Sequence, residues 1–341
     1  MSGIQQQGQS MAHRAFDEQI EALEALSGRP LSSDDVAFIR KSLSNRSNFL
    51  VAKAARLAED NNLAVLIPEL IAAFQRFFIN AEKSDPQCWA KNAVSRALHK
   101  LECRDKCLFL LGLRHHQMEP VWGGRSDTAG TLRANCAHAL VACEGIANDD
   151  LLLILIDLLA DSDKCVRSEA IRAIAQIGDL AIPILRLRAL IPGEDPEVLS
   201  ACFRAVLELD RAAGIPFVAR FLGSADDSAA EAAFALAETH TPQALDALLD
   251  LHRNPVRAPL ADPWFTGVLL NAIALTRLPQ AIDYLICLIE REDREAHIAI
   301  ESLAKLSSNP ELTARLVKAV GDIGSPRLSK TLREHLPEIT L

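Results

Sequence analysis

The sequence predicts an all-α protein, a solenoid of antiparallel helix pairs stacked in a row. Three observations lead there. Hydrophobic residues make up 49% of the 341 positions, yet aromatics make up only 5%, with a single Tyr; sheets draw heavily on aromatic and β-branched side chains. Apolar residues recur at helical rather than alternating spacing. One register also returns along the chain: Ala54, Ala93, Cys136, Ala170, Cys202, Ala232, Leu269 and Ala299 lie 30 to 43 residues apart, marking where paired helices approach closely. Leu269 is the large member of that set. A chain of this length exceeds one ordinary core, whereas a stacked array accommodates it because each unit touches only its neighbours.

The clearest unit runs from Asp163 to about Leu190. Asp163 caps the first helix by accepting from its free amides. Val166, Ala170, Ala173, Ile174 and Ile177 form its apolar stripe, and Gly178 supplies the left-handed residue that ends it. The second helix starts near Leu180, with Pro183 in a first turn whose amides have no helical acceptors. The same punctuation recurs. Asp85, Asp163, Asp195 and Asp262 precede their register residues by seven or eight positions, and Asp85-Pro86, Asp195-Pro196 and Asp262-Pro263 add Pro at the helix start. Thr241-Pro242, Asn309-Pro310 and Ser325-Pro326 open other helices. The expected organisation is a disordered tail over 1–14, a helical cap over 15–44, and one continuous array over 45–341. The array's pairs are 47–59 with 62–79, 86–101 with 104–113, 128–143 with 149–160, 164–177 with 180–190, 196–209 with 213–222, 227–239 with 242–252, 263–276 with 279–291 and 294–306 with 310–321, closed by a helix at 326–335.

Val166-Arg167-Ser168-Glu169-Ala170-Ile171-Arg172-Ala173-Ile174 resembles the core of a bacterial HEAT repeat of the kind also found in phycobilisome-lyase-like proteins. Leu132-Arg133-Ala134-Asn135-Cys136-Ala137-His138-Ala139-Leu140 is similar. Later units mostly keep the small residue and replace the Arg with Leu199, Ala229, Thr266 and Ala296. The resemblance covers roughly residues 45–340 and implies a right-handed HEAT/ARM-type superhelix. It implies no activity, since the repeat is a packing motif. Two kinds of enzyme resemble this architecture, bilin lyases and alkylpurine DNA glycosylases. For the latter, Trp122, Asp127 and Arg133 have the required chemistry but sit in no matching motif.

Interruptions of a repeat array are where function concentrates. The largest is Arg114 to Thr131, with His115, His116, Glu119, Trp122, Gly123-Gly124, Arg125 and Asp127. Large aromatics mostly pack, so the expectation is that Trp122 fills a gap between repeats while Arg125 and Asp127 pair or cap. The functional alternative is a Trp122–Arg125 contact with a partner. A second interruption, His252 to Ala261, holds Arg253, Pro255, Arg257 and Pro259 and reads as a stiff surface connection, with Arg257 as its candidate contact. On the second helices Arg186, Arg188, Arg220 and Tyr284 are expected to face outward among apolar neighbours, along the surface such arrays use for binding. Arg133 and Arg167 hold equivalent places and read as a ladder bonded to loop carbonyls or capping acids.

The function classes narrow by charge and by missing motifs. Net charge is −9, opposed to the basic surface that phosphate recognition needs. There is no phosphate loop, nucleophile elbow or H-E-x-x-H. Cys103, Cys107, His115 and His116 are zinc-ligand types at the wrong spacing for a compact zinc site, so buried thiols and surface histidines are expected and no metal or cofactor. Met1 to Arg14 has no apolar run of a secretion signal, and Leu151 to Ala160 is too short for a membrane span; the expectation is a cytoplasmic protein whose eight Cys remain thiols. The reading is a non-catalytic scaffold or adaptor for a protein or peptide partner. Its alternatives are a HEAT-like enzyme and a permanent subunit of a larger bacterial assembly. Oligomeric state is left open.

Overall fold

Helices begin where a side-chain oxygen can satisfy their first amides, and most of the expected caps are in place. The computed structural model describes residues 16–254 and 263–337, so the expected tail at 1–14, the Asp262 cap and Arg257 lie outside the described residues. Asp163 accepts from Cys165 N at 2.9 Å and Asp195 from Glu197 N at 3.0 Å. Thr241 caps through Ala244 N, and Asn309 through Glu311 N and Leu312 N. Ser325 makes no side-chain cap bond.

The chain divides into two compact units, Met1–Ile177 and Gly178–Leu341. The first holds α1 (16–24), α2 (Ser33–Leu43), α3 (Asn48–Asp60), α4 (Ile67–Arg76), α5 (Ala81–Ser84), α6 (Trp89–Lys100), α7 (Lys106–Leu113), α8 (Gly130–Val141), α9 (Asn148–Ile156) and α10 (Lys164–Ala175). Within it α3 packs along α6, α6 along α8 and α8 along α10, while α4, α7 and α9 lie against α6, α8 and α10 respectively. The second holds α11 (Ile182–Ala189), α12 (Pro196–Leu209), α13 (Arg211–Ala219), α14 (Asp227–Ala237), α15 (Pro242–Arg253), α16 (Pro263–Leu275), α17 (Pro279–Glu290), α18 (Ala296–Ala304), α19 (Pro310–Ile323) and α20 (Pro326–His335). The same rule holds there. Each even-numbered helix from α12 to α18 packs on the next even-numbered one, and α11, α13, α15, α17 and α19 lie against α12, α14, α16, α18 and α20. The fold is all-α, and no helix among the described residues is long and apolar enough to cross a membrane.

All eight register residues are buried, Leu269 included. Seven of the eight are small, because a short side chain lets neighbouring helix backbones close up without leaving a void. Gly112 shows how tight the approach is: a Cβ there would stand 2.4 Å from Cys136 Sγ. Each fully buried Val, Leu or Ile beside the register adds about 1.5–3 kcal/mol of transfer free energy, and all eight cysteines are free thiols.

Three local expectations change. The helix foreseen over 62–79 is a 3-10 turn at Ala64–Leu66 followed by α4 and the short α5. The helix foreseen from Pro86 starts at Trp89, because Gln87 and Cys88 both take left-handed backbone (φ 58 and 54). Asp85 still caps it, reaching past them to Ala90 N (2.8 Å) and Lys91 N (3.0 Å). The third change is the functional candidate: the stretch between α7 and α8 contains an antiparallel hairpin, β1 (Met118–Val121) with β2 (Gly124–Asp127).

Candidate functional site

The hairpin is short, and its own four-residue strands are too little to hold it in water. Side chains at its base hold it instead. Val121 pairs with Gly124 across a turn formed by Trp122 and Gly123. Gly123 has φ 88, a conformation that costs an L side chain about 1–2 kcal/mol, so the second turn position falls to glycine.

Asp127 closes the hairpin and organises its base. Its carboxylate accepts from Gln117 N and Ala129 N, each at 3.0 Å, from His116 Nδ1 at 2.7 Å and from Arg133 Nη1 at 2.8 Å. Burial opposes its ionisation, but the two backbone amides, the His116 bond and the Arg133 charge win and hold its pKa at about 2. Arg133 is 1% exposed. It spends its whole fork, with Nε and Nη2 on the two Asp161 oxygens at 2.8 and 3.1 Å and Nη1 also on His115 O at 3.0 Å. Arg167 donates to Asp161 O and Ser162 O, so the expected arginine ladder on carbonyls and acids is present.

A second set of bonds ties β1 to the loop before α6. Glu119, buried, accepts from Gln87 N at 2.7 Å and from Thr128 Oγ1 at 3.0 Å. Gln117 Nε2 donates to Asp85 O at 2.9 Å and also to Glu119. Desolvation pushes the Glu119 carboxyl upward; its hydrogen bonds from Gln117, Gln87 and Thr128 outweigh that and leave it below its usual range. Asp85 in turn forms a fully buried ion pair with Lys91, 3.0 Å apart. His115 sits edge-on to Phe78, with ring centroids 4.8 Å apart, and burial lowers its pKa.

From this braced base the tip projects into solvent. Trp122 is 104% exposed, and Met118 and Val121 beside it are also exposed. The expectation that Trp122 fills an inter-repeat gap is therefore overturned: the indole stands in solvent. Arg125 does not reach outward with it but pairs with Glu82 at 3.1 Å and donates to Met118 O. A cleft of about 450 Å³ opens beside the base, with Arg114, His116, Asp157 and Asp161 among its polar lining and Leu113 and Leu158 among its apolar lining. Its charges are of mixed sign. Among the described residues no hydroxyl or thiol is hydrogen-bonded to His116, and no three His, Cys, Asp or Glu side chains converge as a metal ion requires.

The other expected contact residues lie in the second unit. Arg188 is turned inward onto Glu194, both largely buried, which corrects its outward placement. Tyr284 is half-buried, its hydroxyl bonded to His252 Nδ1 at 2.7 Å and its ring under Arg253 at 4.9 Å; it is committed to packing rather than presented. Arg220 is exposed and Arg186 half-buried, and both approach the Phe217 ring, at 5.8 and 4.5 Å. Sequence reasoning missed Gln117, Asp161 and Lys91, and read Asp85 as a cap without its buried ion pair to Lys91. The one signal for the hairpin was Gly123-Gly124 between short apolar stretches.

No family model matches this chain, and no curated protein matches it.

Proposed function

We propose that the chain is a non-catalytic protein-interaction scaffold or adaptor of the HEAT-repeat kind, and that it meets its partner through the β1–β2 hairpin. One observation carries this reading. A fully exposed Trp stands at the tip of a hairpin whose base is locked by buried, charge-assisted hydrogen bonds. Water gains nothing from an exposed indole, whereas a partner pocket gains its large area. A rigid support means that little entropy is lost on docking, and Trp leads among residues that dominate binding interfaces. Asp127 and Arg133, the groups with the chemistry of a base and an anion holder, are consumed by each other, which favours binding over catalysis. The anionic surface and the helix-borne frame fit a cytoplasmic adaptor.

The test is capture of a stoichiometric protein from the native host. Trp122→Ala is expected to lower capture by about 2 kcal/mol or more, roughly thirtyfold in affinity, while the thermal unfolding curve stays in place. Undiminished capture by the variant contradicts the hairpin's role. A large fall in melting temperature instead assigns Trp122 to stability.

A further inference from the structure

We propose that α11 carries a second docking surface, one that receives an acidic amphipathic helix of a partner protein. The surface lies wholly in the Gly178–Leu341 unit and goes beyond the hairpin reading. α11 buries Leu185 and Ala189 against α12. A surface helix with one buried stripe should be polar on the opposite side. This one is not. On the side away from α12, Leu187 of α11 stands between Leu180 of the preceding 3-10 turn and Leu190 and Ile191 just past the helix end, with Ile184 half-buried among them. Leu187 is 64% exposed, and Leu180, Leu190 and Ile191 are exposed as well. A single exposed Leu is ordinary, but four exposed apolar side chains clustered on one short helix and its two ends mark an interaction face.

Charge says what covers it. Arg186 of α11 and Arg220, just past α13, converge over Phe217, and among the described residues neither has a carboxylate partner. Arg188, also on α11, is already neutralised by Glu194. Two uncompensated guanidiniums beside an apolar face suit a helix with apolar seam residues flanked by Glu or Asp. A second copy of this chain suits it poorly, because a two-fold contact through α11 sets the same arginines against each other. The segment Met1–Arg14 contains no Asp or Glu. A nucleic-acid backbone would leave the leucines without a counterpart. The eight residues of α11 span about 12 Å, roughly two turns of the incoming helix, and the apolar residues at its two ends extend that face.

The test uses the full-length chain and three labelled synthetic peptides of about 18 residues, roughly five helical turns, read by fluorescence anisotropy. One carries a Leu seam flanked by Glu, one replaces each Glu with Lys, and one replaces each Leu with Ser. The Glu-flanked Leu peptide is expected to bind at least about tenfold more tightly than either control, less tightly at raised salt. Leu187→Glu, and separately Leu187→Ser, are expected to weaken it by about tenfold or more, as is the Arg186→Glu/Arg220→Glu pair. Trp122→Ala should leave this binding unchanged, which separates the surface from the hairpin. The proposal is overturned by equal or tighter binding of the Lys peptide, by no binding of the Glu peptide at about 1 mM, or by indifference to both Leu187 variants. It is also overturned by a concentration-dependent dimer of the chain that Leu187→Glu abolishes.

Discussion

At the scale of single residues, Arg133 and Asp127 decide most. Arg133 neutralises two carboxylates from inside the protein. Arg133→Met keeps much of the volume and removes the buried guanidinium from both acids, so a loss of about 3–5 kcal/mol in urea unfolding is expected; a loss below about 1 kcal/mol shows the pair to be marginal. Asp127 adds a pH dependence. Its pKa is depressed to about 2 from an ordinary 3.8, so the folded state favours the carboxylate. The stabilisation, about 2 kcal/mol, is complete above about pH 5 and is lost as pH falls from there toward 2. Asp127→Asn removes this contribution, so the stability gap between wild type and variant should narrow between pH 5 and pH 2. A gap that stays constant over that window refutes the assignment. That Arg133 and Arg167 bond to carbonyls and acids is legible from their equivalent repeat positions, but the particular partners are not. Arg133 and Asp127 were singled out, but Asp161 is drawn in by the stacking of α8 on α10 and Gln117 by hairpin closure, both consequences of tertiary structure.

Among the elements, the helices were readable because several local signals agree in each: a capping oxygen, Pro in the first turn and an apolar period. Asp163, Asp195, Thr241 and Asn309 all cap as expected. The hairpin was not readable, since four-residue strands show too little alternation to stand above the surrounding loop, and because its stability comes from Asp127, Glu119 and Gln117 rather than from strand propensity. Trp122 was misplaced for a related reason: the general tendency of indoles to pack gives way at a tight turn that aims the side chain outward. The start of α6 slipped because Gln87 and Cys88 take left-handed backbone that no residue-type rule foresees. Helix packing gives a sharper prediction. Gly112 of α7 has no room for a methyl group beside Cys136. Gly112→Ala should therefore lower stability by about 1–3 kcal/mol through overpacking, despite alanine's better helix propensity. A stabilised variant in thermal unfolding contradicts the close approach of α7 to α8.

For the whole molecule, stacked helix pairs form two compact units, each with its own apolar register and its own exposed feature: the Trp122 hairpin in the first, the Leu187 face in the second. The fold is all-α, and the element that breaks this rule presents a fully exposed indole to solvent. The central claim is that this hairpin is a docking element. The most direct measurement places a photo-reactive amino acid at position 122 of the otherwise intact chain in its native host, with a second chain labelled at exposed Lys330 as control. The account predicts one discrete protein adduct from position 122, absent from the control and stoichiometric with the labelled chain. The same faint, heterogeneous adducts from both positions would contradict it.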